Sequence, residues 1–199
     1  MTAESAVIRF AYEAGHLKHL PRAGWQLAGV AQPESVAEHS FRVGILAYVI
    51  AALEGGNPDR AATLGLFHDL PETRVGDVAS VGKAYVRTTD AREVIVDQTA
   101  GLPTPLAEHI QALISEHEGA KQPDSTLEAR CSRDADKLEC LLQAREYAAA
   151  GNTQVGPWVT TMVEAVATET GKRLAAAAVE LPPSVWWQQF ADAFGKPRA

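Results

Sequence analysis

The chain has 199 residues, enough for one domain with its own hydrophobic core, and residues 1–199 are predicted to form a single domain. Its 46% hydrophobic and 22% charged residues exclude a disordered chain, and abundant alanine without alternating β-branched runs predicts an all-α fold. The formal net charge of −7 disfavours binding to duplex nucleic acid. A small phosphorylated substrate stays compatible with this charge, because a bound cation can reverse the local field.

Features that report on cellular location indicate the cytoplasm. The first residues, MTAESAVIRF, lack the apolar core of a signal peptide, and no apolar run is expected to span a membrane. Cys131 and Cys140 lie too far apart on one predicted helix to form a disulfide, so both are expected to be reduced thiols. We therefore expect a cytoplasmic protein without a membrane partner.

Segments with helical spacing alternate with loops rich in glycine and proline. In chain order they predict helices at about 5–20, 36–54, 58–70, 90–100, 105–117, 125–150 and 157–179, then a short aromatic helix holding Trp186, Trp187, Phe190 and Phe194. No strand signal stands out. Residues 17–150 form the predicted core, and the C-terminal helices, at 153–195, are expected to pack on it. The last helix is aromatic enough for an interface, and capping the core is an equal alternative.

The second predicted helix is the best marked. Ser35 and Glu38 form a capping box that starts it at Val36, and the glycine pair at 55–56 ends it. Its predicted inward stripe consists of His39, Val43, Leu46, Ile50 and Leu53. The third helix begins at Asn57-Pro58, a cap followed by a first-turn proline, and carries His68 near its end.

Imidazoles and carboxylates on these helices can converge on a metal ion. His39 lies in the first turn of the second helix, and His68 and Asp69 are adjacent at the end of the third. A later helix, in the segment CSRDADKLECLLQAREY, offers Asp134 or Asp136 as a fourth ligand, and the apolar stripe of that helix lies nearer Asp134. Two imidazoles and two carboxylates suit one divalent metal, from Mn, Co, Mg, Zn, Ni or Fe. Taken singly, each histidine would more simply be a core residue.

Three spaced motifs resemble the HD-domain superfamily. The segments PESVAEHSFRVGILAYVIA, ATLGLFHDLPETRVGD and RDADKLECLLQAREY occur in the order of that family and are most similar to its 5'-deoxynucleotidase branch. The resemblance implies an all-helical fold, a divalent metal, a homodimer, and release of phosphate from nucleoside 5'-monophosphates with a preference for deoxyribose.

The resemblance also implies roles for particular residues. The family's metal ligands fall on His39, His68, Asp69 and Asp136. Asp136 directly precedes the KLE turn as the family ligand does, which leaves Asp134 as a supporting or surface carboxylate.

Its catalytic carboxylates match Glu72 and Asp77, with Glu72 assigned to the attacking water and Asp77 to the leaving-group side. Without this context, Glu72 would be read as an acid at a helix N-terminus.

Residues that precede and follow these motifs are candidates for binding substrate. Arg22 and Trp25 match family residues that line the substrate pocket, and an arginine and a tryptophan suit a phosphate and a sugar or base. Trp25 could instead plug the core, and Lys83 is a candidate phosphate contact or a surface lysine.

Two further histidines bear on alternative functions. His109 and His117 are eight apart on one predicted helix, and extra histidines hold a second metal in some HD relatives, including di-iron oxygenases. The alternatives to a nucleotidase are therefore a phosphatase for another small nucleotide-like ester, a di-iron oxygenase, and an inactive binding module.

Overall fold

The computed structural model describes residues 2–194, and within that range every regular element is helical. The α-helices are α1 (Ala3–Gly15), α2 (Ala23–Leu27), α3 (Val36–Glu54), α4 (Pro58–Phe67), α5 (Glu72–Val75), α6 (Ala91–Thr99), α7 (Thr104–Glu118), α8 (Leu127–Ala149), α9 (Gly156–Ala165), α10 (Glu169–Glu180) and α11 (Val185–Phe194). Short 3-10 turns cover His16–His19, Gly82–Ala84 and Gly119–Lys121. The all-α prediction is confirmed. The predicted C-terminal boundary at residue 195 lies outside the described residues.

Helix α3 begins and ends as the sequence predicts. The Ser35 side chain accepts from the Glu38 amide, Glu38 bonds back to Ser35, and Gly55 closes the helix in the left-handed conformation with φ of 80°. The predicted inward stripe is correct for the fully buried His39, but its last member, Leu53, is 61% exposed. The stripe is also correct for Val43 and Ile50, which are fully buried, and near the end of the helix Ala51 is buried beside Ile50.

A three-helix centre of α3, α4 and α8 forms most of the core. Helices α3 and α4 approach closely at Gly65, where an added Cβ would lie 3.1 Å from the Val43 carbonyl oxygen. This contact sets the end of α4, and with it His68, against the first half of α3. The centre therefore carries both candidate histidine ligands on packed helices.

Helix α3 is long and apolar enough to cross a membrane by length and composition, with a mean hydropathy of 1.4. The expectation that no apolar run would reach this length was wrong. A core helix passes the same test, and α3 packs against α4, α8 and α10.

The C-terminal third departs from the predicted single helix at 157–179. Helix α9 ends at Ala165 and α10 starts at Glu169, with the Thr168 hydroxyl accepting from the Gly171 amide as an N-cap. The break has a tertiary cause, because the buried carboxylate of Asp134 on α8 accepts from the Ala167 and Thr168 amides. Cys131 and Cys140 are buried free thiols, as predicted.

Candidate metal centre and active site

Two buried histidines, His39 and His68, have their Nε2 atoms close to one position. The rings of His39 and His68 lie 5.3 Å apart, centroid to centroid. The Nδ1 atom of His39 is 2.5 Å from Glu139 Oε2, and that of His68 is 2.7 Å from the Gly65 carbonyl oxygen. Both Nε2 atoms are buried and have no hydrogen-bond partner among residues 2–194. A pair of orphaned acceptor nitrogens is the arrangement that a metal ion satisfies.

Two carboxylates complete the set around these nitrogens. Asp69 Oδ2 lies 3.1 Å from His68 Nε2 and 3.6 Å from His39 Nε2, while Asp136 Oδ1 lies 3.4 Å from His39 Nε2. Ligands at about 2.1 Å from a shared ion are separated by about 3.0–3.4 Å, so these spacings fit one cation. The structure thus brings His39, His68 and Asp136 together as one candidate ligand group, with Asp69 beside both imidazoles.

Burial and neighbouring charges act in opposite directions on the pKa values of this cluster. Burial alone would raise the pKa of Asp69 and of Asp136, but the neighbouring imidazoles and the cations Arg22 and Lys137 lower both. Burial would lower the pKa of His39, yet the carboxylates beside it raise that pKa to about 10. The carboxylates that favour positive charge at His39 would favour a bound cation beside Nε2 in the same way.

Asp134 and Asp136 have different surroundings in the structure. Asp136 faces His39, whereas Asp134 is fully buried on another side of α8 and bonds the amides of Ala167 and Thr168. Asp134 had been expected to support the metal site or lie on the surface. That expectation was wrong, because its carboxylate holds the start of α10.

A cavity of about 210 Å³ opens beside this cluster. It is lined by every other predicted site residue together with the two aspartate ligands: Arg22, Trp25, Asp69, Glu72, Asp77, Lys83 and Asp136. Sequence reasoning missed the other lining residues, which are Gly24, Val78, Ala79, Ser80, Lys137, Cys140, Trp158 and Met162. The cavity lining therefore combines acidic and cationic side chains with aromatic and apolar ones.

Arg22 is the permanent cation of the cavity. Its Nη1 atom lies 3.4 Å from Asp69 Oδ2 and 4.0 Å from Asp77 Oδ1. Burial alone would lower the pKa of Arg22, but the surrounding carboxylates raise it, so the guanidinium stays charged. Asp77 also accepts from the Ala23 amide at 2.6 Å, which fixes the segment that presents Arg22.

Glu72 is the first residue of α5 and points an unbonded oxygen into the site. Its Oε2 atom is buried without a hydrogen-bond partner in the described part of the chain. Burial first, and then the negative charges of Asp69 and Asp77, raise the pKa of Glu72 to about 9. A carboxyl that holds a proton near neutral pH is equipped for proton exchange.

Trp25 combines the two roles considered for it. It is only 2% exposed, packs edge-on against Tyr147 and donates from Nε1 to Glu34 at 2.9 Å, yet it also lines the cavity. Trp158 lies 5.7 Å from it, centroid to centroid, and is half-buried. The aromatic wall thus has a rigid inner member and a more accessible outer one.

His109 and His117, the candidates for holding a second metal, do not form a ligand cluster with each other in residues 2–194. His109 is exposed, whereas His117 packs on His68 at 5.0 Å and bonds Ser132 at 2.9 Å through Nδ1. The candidate ligand groups found in residues 2–194 include neither of them. The geometry gives no support to a pair of added ligands at these two positions.

Comparison with known proteins places the chain in a family. The sequence profile of the HD domain matches residues 14–178. This chain belongs to the HD domain family. It is 35% identical to the 5'-deoxynucleotidase HDDC2 of Danio rerio over 144 residues, 71% of this chain and 69% of that protein.

Other HD proteins extend the similarity. The 5'-deoxynucleotidase hdd1 of Schizosaccharomyces pombe is 32% identical over 71% of this chain and 72% of that protein. The crystal structure of the structural-genomics protein APC5600 is 31% identical, superposes with a TM-score of 0.72, and is matched over 92% of this chain and 99% of its own. The HD fold therefore spans nearly the whole chain.

Proposed function

We propose that this HD protein is a metal-dependent phosphatase that releases phosphate from nucleoside 5'-monophosphates, with a preference for deoxyribonucleotides. The observation that carries the proposal is the cluster of two unpartnered imidazole nitrogens with Asp69 and Asp136, two carboxylates that also line a cavity with Arg22 and the tryptophans. The relatives named as 5'-deoxynucleotidases support the substrate class.

One divalent cation fits the ligand set His39, His68, Asp69 and Asp136, and Mn, Co, Mg, Zn, Ni and Fe are all candidates. When bound, it would supply an acidified water molecule and neutralise charge on the phosphate oxygens. The buried Nε2 atoms would gain the partner that they otherwise lack.

The cationic side chains of the cavity bind the phosphate. Arg22 offers two parallel N–H donors to phosphate oxygens, and the aspartates beside it keep the guanidinium in place. Lys83 and Lys137 line the same cavity and add positive charge. Because the aspartates hold Arg22 before substrate arrives, little ordering of the guanidinium is needed on binding.

Two carboxyl groups have different surroundings and therefore different tasks. Glu72 has a buried Oε2 atom without a hydrogen-bond partner in the described residues, and a bound cation would favour its ionised form, in which it can accept the proton of the attacking water. Asp77 was expected on the leaving-group side, and that role stays a prediction. Its bonds to the Ala23 amide and towards Arg22 favour holding the phosphate-binding segment.

The nucleoside occupies the other side of the cavity. Trp25, Trp158 and Met162 line it and offer apolar and aromatic surface to a sugar and base. Stacking on aromatic side chains is available to every base, so this lining favours no particular base.

A phosphate-release screen tests the proposal. Metal-loaded protein is assayed with 5'- and 3'-monophosphates of ribo- and deoxyribonucleosides, with di- and triphosphates, and with a sugar phosphate. The expected result is release from 5'-monophosphates, faster for the deoxy series. Activity confined to a different small ester would support the alternative phosphatase, and oxygen consumption without phosphate release would overturn the proposal in favour of an oxygenase.

We also propose that the protein works in the cytoplasm as a homodimer. The outer face of α3 and α4 carries large exposed apolar side chains, namely Phe41, Ile45, Tyr48, Leu53 and Leu66. An exposed apolar patch of this kind is typical of a protein interface. Light scattering on a size-exclusion column should give twice the monomer mass of 21.3 kDa. The Ile45→Glu variant should instead give the mass of the monomer.

A further inference from the structure

A buried carboxylate lies directly behind one candidate ligand. Glu139 is on α8, three residues after Asp136, and is fully buried. Its Oε2 atom lies 2.5 Å from His39 Nδ1, on the opposite side of the ring from the candidate metal position. An i, i+3 spacing places Glu139 and Asp136 on the same face of the helix, so α8 contacts both nitrogens of His39.

The second oxygen of Glu139 is held by an arginine. Oε1 accepts from Arg42 Nε at 3.0 Å and from Arg42 Nη2 at 2.8 Å, so two donors of one guanidinium fix the carboxylate. Arg42 is itself held, since Nη2 also donates to Gln143 and Nη1 to Glu146. The arginine charge compensates the burial of Glu139, which an isolated carboxylate would not tolerate.

The two imidazoles therefore have unequal partners. The Nδ1 atom of His39 faces an anionic carboxylate, whereas that of His68 faces the neutral carbonyl of Gly65. A carboxylate that accepts from Nδ1–H fixes the tautomer with a free lone pair on Nε2 and makes that nitrogen a stronger donor to a metal. The contact also fixes the orientation of the ring.

We propose that Glu139, fixed by Arg42, is a positioning residue that sets the metal affinity of the site through His39. The proposal concerns the metal alone and holds whichever phosphate ester is the substrate. Neither residue lines the cavity, so neither contacts substrate.

The test is the dissociation constant for Co²⁺ and for Zn²⁺ of chelator-treated protein, measured by competition with a chromophoric chelator. Glu139→Gln keeps the side-chain shape but removes the charge, and the dissociation constant should rise about 10–100-fold. At saturating metal most of the activity should return with KM unchanged. Arg42→Lys keeps the charge but loses the paired donors, and it should raise the dissociation constant by a smaller factor.

The matched control is Glu146→Gln. Glu146 also accepts from Arg42, but its side chain is 42% exposed and Glu139 separates it from His39. This variant should bind metal with the wild-type affinity. Thermal unfolding of the metal-free proteins separates positioning from stability, because a purely structural role would lower the midpoint and leave the dissociation constant unchanged.

Wild-type metal affinity in a folded Glu139→Gln protein would overturn the proposal. If that variant does not fold, Arg42→Lys decides, and an unchanged dissociation constant in it would overturn the proposal equally. Failure of the substrate screen would leave this result intact, since no nucleotide is used in the measurement.

Discussion

Asp134 and Asp136 on α8 point in different directions. Substituting each of them therefore tests which aspartate binds the metal. Asp136→Ala should lose both bound metal and turnover, because it removes a ligand next to His39. Asp134→Ala should keep both per folded molecule. It should instead lower the free energy of unfolding by about 1–3 kcal/mol, since two amides at the start of α10 lose their acceptor.

Metal content by elemental analysis, kcat and urea unfolding measure these effects. Loss of metal from Asp134→Ala combined with a metal-loaded, active Asp136→Ala would show that the ligand assignment is wrong.

Glu72 is the second prediction at this scale. Glu72→Gln preserves the shape of the side chain but cannot exchange a proton, so kcat should fall by roughly 10²–10⁴-fold. Metal content and KM should stay near those of the wild type, because Glu72 is not among the ligands and Arg22 holds the phosphate. An acid that only stabilised the start of α5 would cost about 0.3–1 kcal/mol of stability and leave kcat unchanged. A near-wild-type kcat in the folded, metal-loaded variant would exclude Glu72 from the reaction.

Helix α9 illustrates how one element determines specificity. It packs on α8 and contributes Trp158 and Met162 to the lining of the cavity. Stacking of a base on an aromatic side chain is worth about 1–3 kcal/mol, so Trp158→Ala should raise KM about 5–150-fold while kcat changes little.

The matched control for this prediction is Trp187→Ala. Trp187 lies on α11, is 47% exposed and does not line the cavity, so its removal should leave KM unchanged. Equal KM values for wild type and Trp158→Ala would place the nucleoside elsewhere.

At the element scale, local sequence signals predict where a helix ends when a cap ends it. They predict less well a break that a tertiary contact causes. The capping box at Ser35 and the asparagine cap at Asn57 are short-range patterns, and the structure confirms both. The break between α9 and α10 depends on Asp134, more than thirty residues earlier in the chain, and the local signal for it was the Thr168 cap. The four-residue α5 is equally beyond the reach of periodicity, since it is about one turn long.

For the molecule as a whole, the spaced motifs predicted most of the site. The nine residues assigned from the resemblance all lie at or around one cavity in the structure. The missed residues are of two kinds. Glu139 and Arg42 lie inside the matching motifs, and their spacing from Asp136 and His39 was an available signal. Trp158 and Met162 come from a helix outside those motifs, and only packing of α9 on α8 brings them to the cavity.

The central claim is that a metal held by His39, His68, Asp69 and Asp136 is required for phosphate release. The most direct measurement is phosphate release from deoxynucleoside 5'-monophosphates by protein that has been stripped with a chelator, verified metal-free, and then titrated with Mn²⁺ or Co²⁺. The account predicts no turnover in the stripped protein and recovery that saturates at one metal ion per chain. Full turnover by the verified metal-free protein would contradict it.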